Sequence, residues 1–108
     1  LSLLRLPDPP TCILMPDDYA CLGALEAASE LGLRVPEDLS LGGYDGMRLA
    51  QHIRPRLTTI AQNASQIGML AARRLVDAIE CAPPKEPWTT TVPGQLLAGE
   101  SMGPISHA

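Results

Sequence analysis

Apolar and polar positions fall into blocks along the chain, and the blocks predict alternating strands and helices. Leu1-Ser2-Leu3-Leu4-Arg5-Leu6 reads as the last turn of a helix, stopped by Pro7-Asp8-Pro9-Pro10. Thr11 to Met15 is a short apolar run between prolines, as a buried parallel strand requires. Pro16-Asp17-Asp18 ends it and opens a helix that runs from about Asp18 to Leu31. Aspartate suits the cap and the positive end of the helix dipole, and Gly32 stands where a left-handed C-cap is wanted. This helix has two apolar sides. Ala20, Ala24, Ala27, Ala28 and Leu31 form one stripe, while Leu22 and Leu25 point the other way. The second side is either covered within the chain or meets another subunit.

Val35-Pro36-Glu37-Asp38 is a turn, and Leu39 to Tyr44 is the next strand. Strand, helix and strand in this span form a βαβ unit, with parallel strands and a right-handed crossover. Asp45-Gly46 ends the second strand, and a short helix follows through Leu49 and Ala50. Leu57 to Ala61 reads as a third strand and Ala64 to Glu80 as a second long helix. Its apolar face is Ile67, Ala71, Leu75, Ala78 and Ile79, with Arg73 and Asp77 paired on the polar side. Ala82-Pro83-Pro84 stops it. Thr89 to Val92 and Gln95 to Ala98 read as short strands around Pro93-Gly94, and Gly99 to Ala108 reads as a fraying tail. The fold class is α/β, a parallel Rossmann-like sheet flanked by helices.

In open α/β sheets, ligands bind beyond the carboxyl ends of the strands. Asp17 and Asp18 follow the first strand and Asp45 follows the second. If these strands are neighbours, the acids face one crevice. A carboxylate accepts two hydroxyl donors at once, the geometry that a sugar diol offers. Helix capping by Asp18 and an ordinary turn at Asp45 are the structural alternatives.

With 108 residues there is room for one small domain. No Phe, one Trp and two Tyr leave the core to Leu, Ile, Val and Ala. Eight basic against twelve acidic residues give a net charge of -4, a poor basis for binding nucleic acid unaided. No apolar run is long enough for a membrane helix, so no membrane partner is expected. Cys12, Cys21 and Cys81 are odd in number and lack CxxC spacing. Three reduced, mostly buried thiols are expected in a cytoplasmic protein, without a metal site or cofactor. Catalysis finds little support. His52 and His107 are the only histidines, Cys21 with His52 makes an undemanded nucleophile and base, Ser40 and Ser65 lack an elbow, and Gly42-Gly43 opens no phosphate loop.

The run GALEAASELGLRVPEDLSLGGYD, Gly23 to Asp45, resembles the effector-binding domain of the lactose/galactose repressor (LacI/GalR) family. Met15-Pro16-Asp17-Asp18, Gly32 to Asp38, Gly43-Tyr44-Asp45-Gly46 and Pro55-Arg56-Leu57-Thr58-Thr59 follow that family's order and spacing. The helix with Gly68, Ala71 and Ala72, then Leu96 and Glu100-Ser101, resembles its end. Three positions depart from the pattern. Asp17 replaces an Asn, Gly46 the second Asp of a pair, and Gly99 an Arg.

The resemblance implies a two-lobed domain of the periplasmic-binding-protein kind, of which this chain is the C-terminal part, incomplete. Residues 10–62 and about 94–101 would form the C-terminal lobe. Residues from about 63 to 93 would belong to an N-terminal lobe outside the sequence, leaving the second helix without a sheet to cover. The implied effector contacts are Asp45, Asp17, Tyr44 and Gln62. The implied homodimer contacts are Leu22, Leu25, His52 and Ile53. The implied function is a transcriptional repressor that senses a small molecule, with a sugar expected, and binds operator DNA only through an N-terminal helix-turn-helix. A periplasmic-type sugar-binding protein for transport is the alternative, and an enzyme on a related scaffold the third reading.

Overall fold

A computed structural model describes residues 2–81 and 88–104. Ala82-Pro83-Pro84 and His107 lie outside the described residues. The elements are β1 (Cys12–Leu14), α1 (Asp18–Glu30), β2 (Ser40–Asp45), β3 (Thr58–Ala61), α2 (Ala64–Glu80) and β4 (Gln95–Leu97), with 3-10 turns at Leu3–Arg5 and Arg48–Gln51. The strands form one sheet in the order β1-β2-β3-β4. Cys12 pairs with Ser40 and Leu14 with Gly42, Gly42 with Thr58 and Asp45 with Ala61, all parallel. Two compact units divide the chain, residues 1–61 with 96–108, and residues 62–95.

In the first unit, helix α1 starts because Asp17, in extended conformation, accepts the Ala20 N–H at 2.7 Å. The cap is thus Asp17, not the Asp18 that the sequence also allowed. The helix stops in a Schellman motif. Gly32 lies at φ +69, its N–H donates to Ser29 O, and the Leu33 N–H donates to Ala28 O. Two apolar clusters hold the helix to the sheet. Cys21, Ala50 and Leu57 form one, Ala28, Leu39 and Leu41 the other. Leu25 packs partly into both, beside Ala24 in the second. The sequence set Leu25 opposite the alanine stripe, but a helix lying on a sheet buries a broad stripe, and Leu25 falls within it.

The turn before β2 is fixed by Asp38, whose carboxylate accepts from the Arg34 N–H, Nε and Nη2 at 2.7–2.8 Å. These bonds favour the charged form and lower the Asp38 pKa to about 2.

Of the tail expected to fray, residues 99–104 are described, and they are tied to the sheet. Ser101 is fully buried. Its Oγ donates to Leu41 O at 2.6 Å and accepts the Thr58 N–H at 2.9 Å, joining β2 to β3. The Leu41 N–H donates in turn to Ser101 O. Glu100 forms an ion pair with Arg56 at 3.0 Å, and Ser40 Oγ bonds to Gly103.

In the second unit, Asn63 caps α2 by accepting the Gln66 N–H at 3.1 Å. No α2 side chain is buried. Leu75 is 63% exposed and Ile79 75%. Ile67, Leu70, Ala71 and Arg74 line a hollow of about 310 Å3 with Trp88, Thr90 and Val92. The Arg74 guanidinium stands 4.3 Å from the Trp88 ring centre. Thr89 to Val92 forms no strand, because no neighbouring strand pairs with it. The Arg73–Asp77 pair does not form an ion pair among the described residues, whose bridges are Arg34–Asp38 and Arg56–Glu100.

Candidate functional site

Because β1 and β2 are parallel neighbours, Asp17 and Asp18, which follow β1, and Asp45, which ends β2, lie at the same carboxyl edge of the sheet. The three acids differ in what holds them. Asp17 is half-buried and spends one oxygen on its helix cap. Asp45 is exposed at the tip of β2, with φ at 103. That value is costly for a residue with a side chain, on the order of 1–3 kcal/mol, and such strain collects at ligand-binding positions. Gly46 follows at φ +69. A Cβ there would run into the Cβ and backbone of Ala61, so the turn needs glycine twice over.

Asp18 is almost completely buried. Its Oδ1 accepts the Thr59 hydroxyl at 2.6 Å and its Oδ2 accepts the Met47 N–H at 2.7 Å. Thr59 Oγ1 in turn accepts the Gly46 N–H at 3.3 Å. Gly43 makes this possible, because a Cβ there would collide with the Asp18 carboxylate and crowd Cys21 Sγ. No spacing rule in the sequence singles out Thr59. The only signal was a second acid beside Asp17 that one helix cap does not need.

Tyr44 stands next to Asp45 on β2 and is 42% exposed. Gln62 is exposed and belongs to the second unit, directly after β3 in the chain. Of the positions expected at a subunit contact, His52 is exposed, and its Nδ1–H donates to Arg48 O at 2.7 Å. Leu22 is half-buried, while Leu25 and Ile53 pack partly into the core of their own chain.

The thiols differ from expectation. Cys21 is buried, but Cys12 and Cys81 are exposed. Cys21 Sγ donates to Gly42 O at 3.3 Å. Burial first, and then the charges of Asp18 and Asp17, push its pKa up to about 11. A thiol raised this far is a poor nucleophile, and His52 Nδ1 is bonded elsewhere, so no Cys–His pair is assembled. Since the folded pKa lies above the ordinary thiol value of 9.0, the folded chain holds this proton longer than the unfolded chain. The Cys21 contribution to stability is therefore intact below about pH 9 and is lost as pH rises toward 11. Titration with a thiol reagent at pH 8 is expected to modify Cys12 and Cys81 rapidly, and Cys21 only after denaturant is added. Equal rates for all three would contradict the burial of Cys21. Among the described residues no group of three or more His, Cys, Asp or Glu side chains is placed to hold a metal ion, and no helix is long and apolar enough to cross a membrane.

An open parallel sheet with polar groups at its carboxyl edge defines the class of α/β ligand-binding domains. The model of the periplasmic binding protein-like domain family matches residues 2–102, and the chain belongs to that family. Its relatives are LacI-family transcriptional regulators. The HTH-type transcriptional repressor CytR of Escherichia coli K12 is 47% identical over 79 residues, covering 73% of this chain and 23% of CytR. A LacI family transcriptional regulator from an Arthrobacter species, solved in complex with lactose, superposes with a TM-score of 0.80 at 33% identity, covering 94% of this chain and 39% of that one. Another from Enterococcus faecium, solved with bound ribose, gives 0.78 at 31% identity, covering 92% and 37%. The chain therefore spans about a quarter of the length of the curated relatives it matches.

Proposed function

We propose that this chain is the C-terminal part of the effector domain of a transcriptional repressor that senses a small molecule, with a sugar or related polyol as the favoured class. The observation that carries the reading is Asp45, a non-glycine residue held at φ 103 on the carboxyl edge of β2. Asp17 and Tyr44 accompany it there as effector contacts, and Gln62 joins the proposal through the family resemblance. In the whole protein, the effector favours one arrangement of the domain and so shifts operator affinity through an N-terminal helix-turn-helix. Leu22, Leu25, His52 and Ile53 are the proposed homodimer contacts. The protein acts in the cytoplasm, without catalysis.

Calorimetry on the complete gene product with ribose, lactose and cellobiose tests this. One of them is expected to bind saturably. Asp45→Asn should weaken that binding at least tenfold, because an amide replaces one acceptor oxygen by a donor. Unchanged affinity in Asp45→Asn would overturn the role of Asp45. The 108-residue chain alone should bind none of them tightly, and saturable binding by it would contradict the two-lobed site.

A further inference from the structure

We propose that Asp18, acting with Thr59, is the positioning group of the effector edge. The proposal rests on the effector reading only for what Asp45 does, not for how it is held. Two consecutive backbone N–H groups follow Asp45, and one buried carboxylate holds the second directly and the first through the Thr59 hydroxyl. The Met47 N–H donates directly to Asp18 Oδ2 at 2.7 Å. The Gly46 N–H donates to Thr59 Oγ1 at 3.3 Å, and the Thr59 hydroxyl passes its own proton to Asp18 Oδ1 at 2.6 Å. Both carboxylate oxygens are acceptors, and the single Thr59 proton is already committed, so the order of donors round the ring is fixed.

Position in the fold gives this ring its consequence. Asp18 is the first residue of α1, next to Asp17 at the cap. Thr59, 1% exposed, sits on β3 directly across from Gly43. The ring therefore ties the start of α1, the turn after Asp45 and β3 to one point. Backbone conformations as unfavourable as that of Asp45 persist only where the surroundings over-determine them. The captured N–H groups of Gly46 and Met47 supply that determination. Asp18 touches no effector in this scheme and sets the geometry of Asp45 from beneath.

The test uses the 15N-labelled 108-residue chain and amide hydrogen exchange by NMR. In Asp18→Asn the Met47 amide is expected to exchange at least tenfold faster. In Thr59→Val the Gly46 amide should do the same, and Thr59→Ser, which keeps the hydroxyl, should restore it. The Leu41 amide, bonded to Ser101 O, should keep its wild-type rate throughout. Unchanged rates at Gly46 and Met47 would overturn the proposal. So would equal acceleration at Leu41, the mark of general loosening, or failure of Thr59→Ser to restore Gly46. A sugar titration of the complete gene product separates this from the effector reading. Weakening by both Asp45→Asn and Asp18→Asn supports the positioning role. Weakening by Asp45→Asn alone overturns it and leaves the effector reading standing. If wild type binds none of the three sugars, the effector reading fails and the exchange rates decide the positioning role by themselves.

Discussion

Leu41→Ala is expected to lower the stability of the chain by about 2–5 kcal/mol, the range for emptying a fully buried leucine site. Leu41 has no exposed surface and is the second residue of β2, packed with Ala28 and Leu39. Its backbone carries a second load, because the N–H and C=O both bond to Ser101. Collapse around the cavity is hindered, since any movement of β2 disturbs that clasp. Domains are stable by only about 5–15 kcal/mol, and small ones bury less of their surface, so this loss removes much of the margin. Urea titration followed by circular dichroism checks it. A midpoint within error of wild type would show that Leu41 is not a core residue.

Gly46→Ala comes next, with an expected loss of about 2–5 kcal/mol from two sources. Holding alanine in the left-handed region costs roughly 1–2 kcal/mol, and forcing its methyl group against Ala61 adds roughly 1–3 kcal/mol. The obstacle includes Ala61 backbone within β3, which cannot swing aside as a flexible side-chain end can. Gly23→Ala is the matched control. It lies inside α1, where an added Cβ meets nothing, so removing glycine there should stabilise by about 0.5–1 kcal/mol. A Gly46→Ala melt that matches the Gly23→Ala melt would refute the turn geometry, and with it the argument from the strain at Asp45.

Local signals made most of the fold legible. Prolines and short apolar runs marked β1 to β3, a helical period with Gly32 behind it marked α1, and the reading of α2 as Ala64 to Glu80 coincides with the observed helix. Long-range partners hid the rest. Asp17 and Asp18 are equal as caps in sequence, and the choice is made by Thr59 and Met47, which claim Asp18 from 41 and 29 residues away. Ser101 reads as part of a polar tail because its partners Leu41 and Thr58 are 60 and 43 residues distant. Apolar neighbours did not reveal that Cys12 faces outward, since a strand sends alternate side chains to opposite faces. Thr89 to Val92 has strand composition, but a strand exists only where a partner supplies a ladder. At the site, the acids after β1 and β2 were legible from the βαβ order. The strain at Asp45 and the ring beneath it were not, because both depend on tertiary contacts.

On the function proposed above, this chain senses an effector on behalf of a DNA-binding repressor. Sequencing the gene upstream of the Leu1 codon tests it most directly. The expected result is an in-frame first lobe preceded by a helix-turn-helix. A signal peptide ahead of a first lobe would contradict it and make the chain part of a transport receptor.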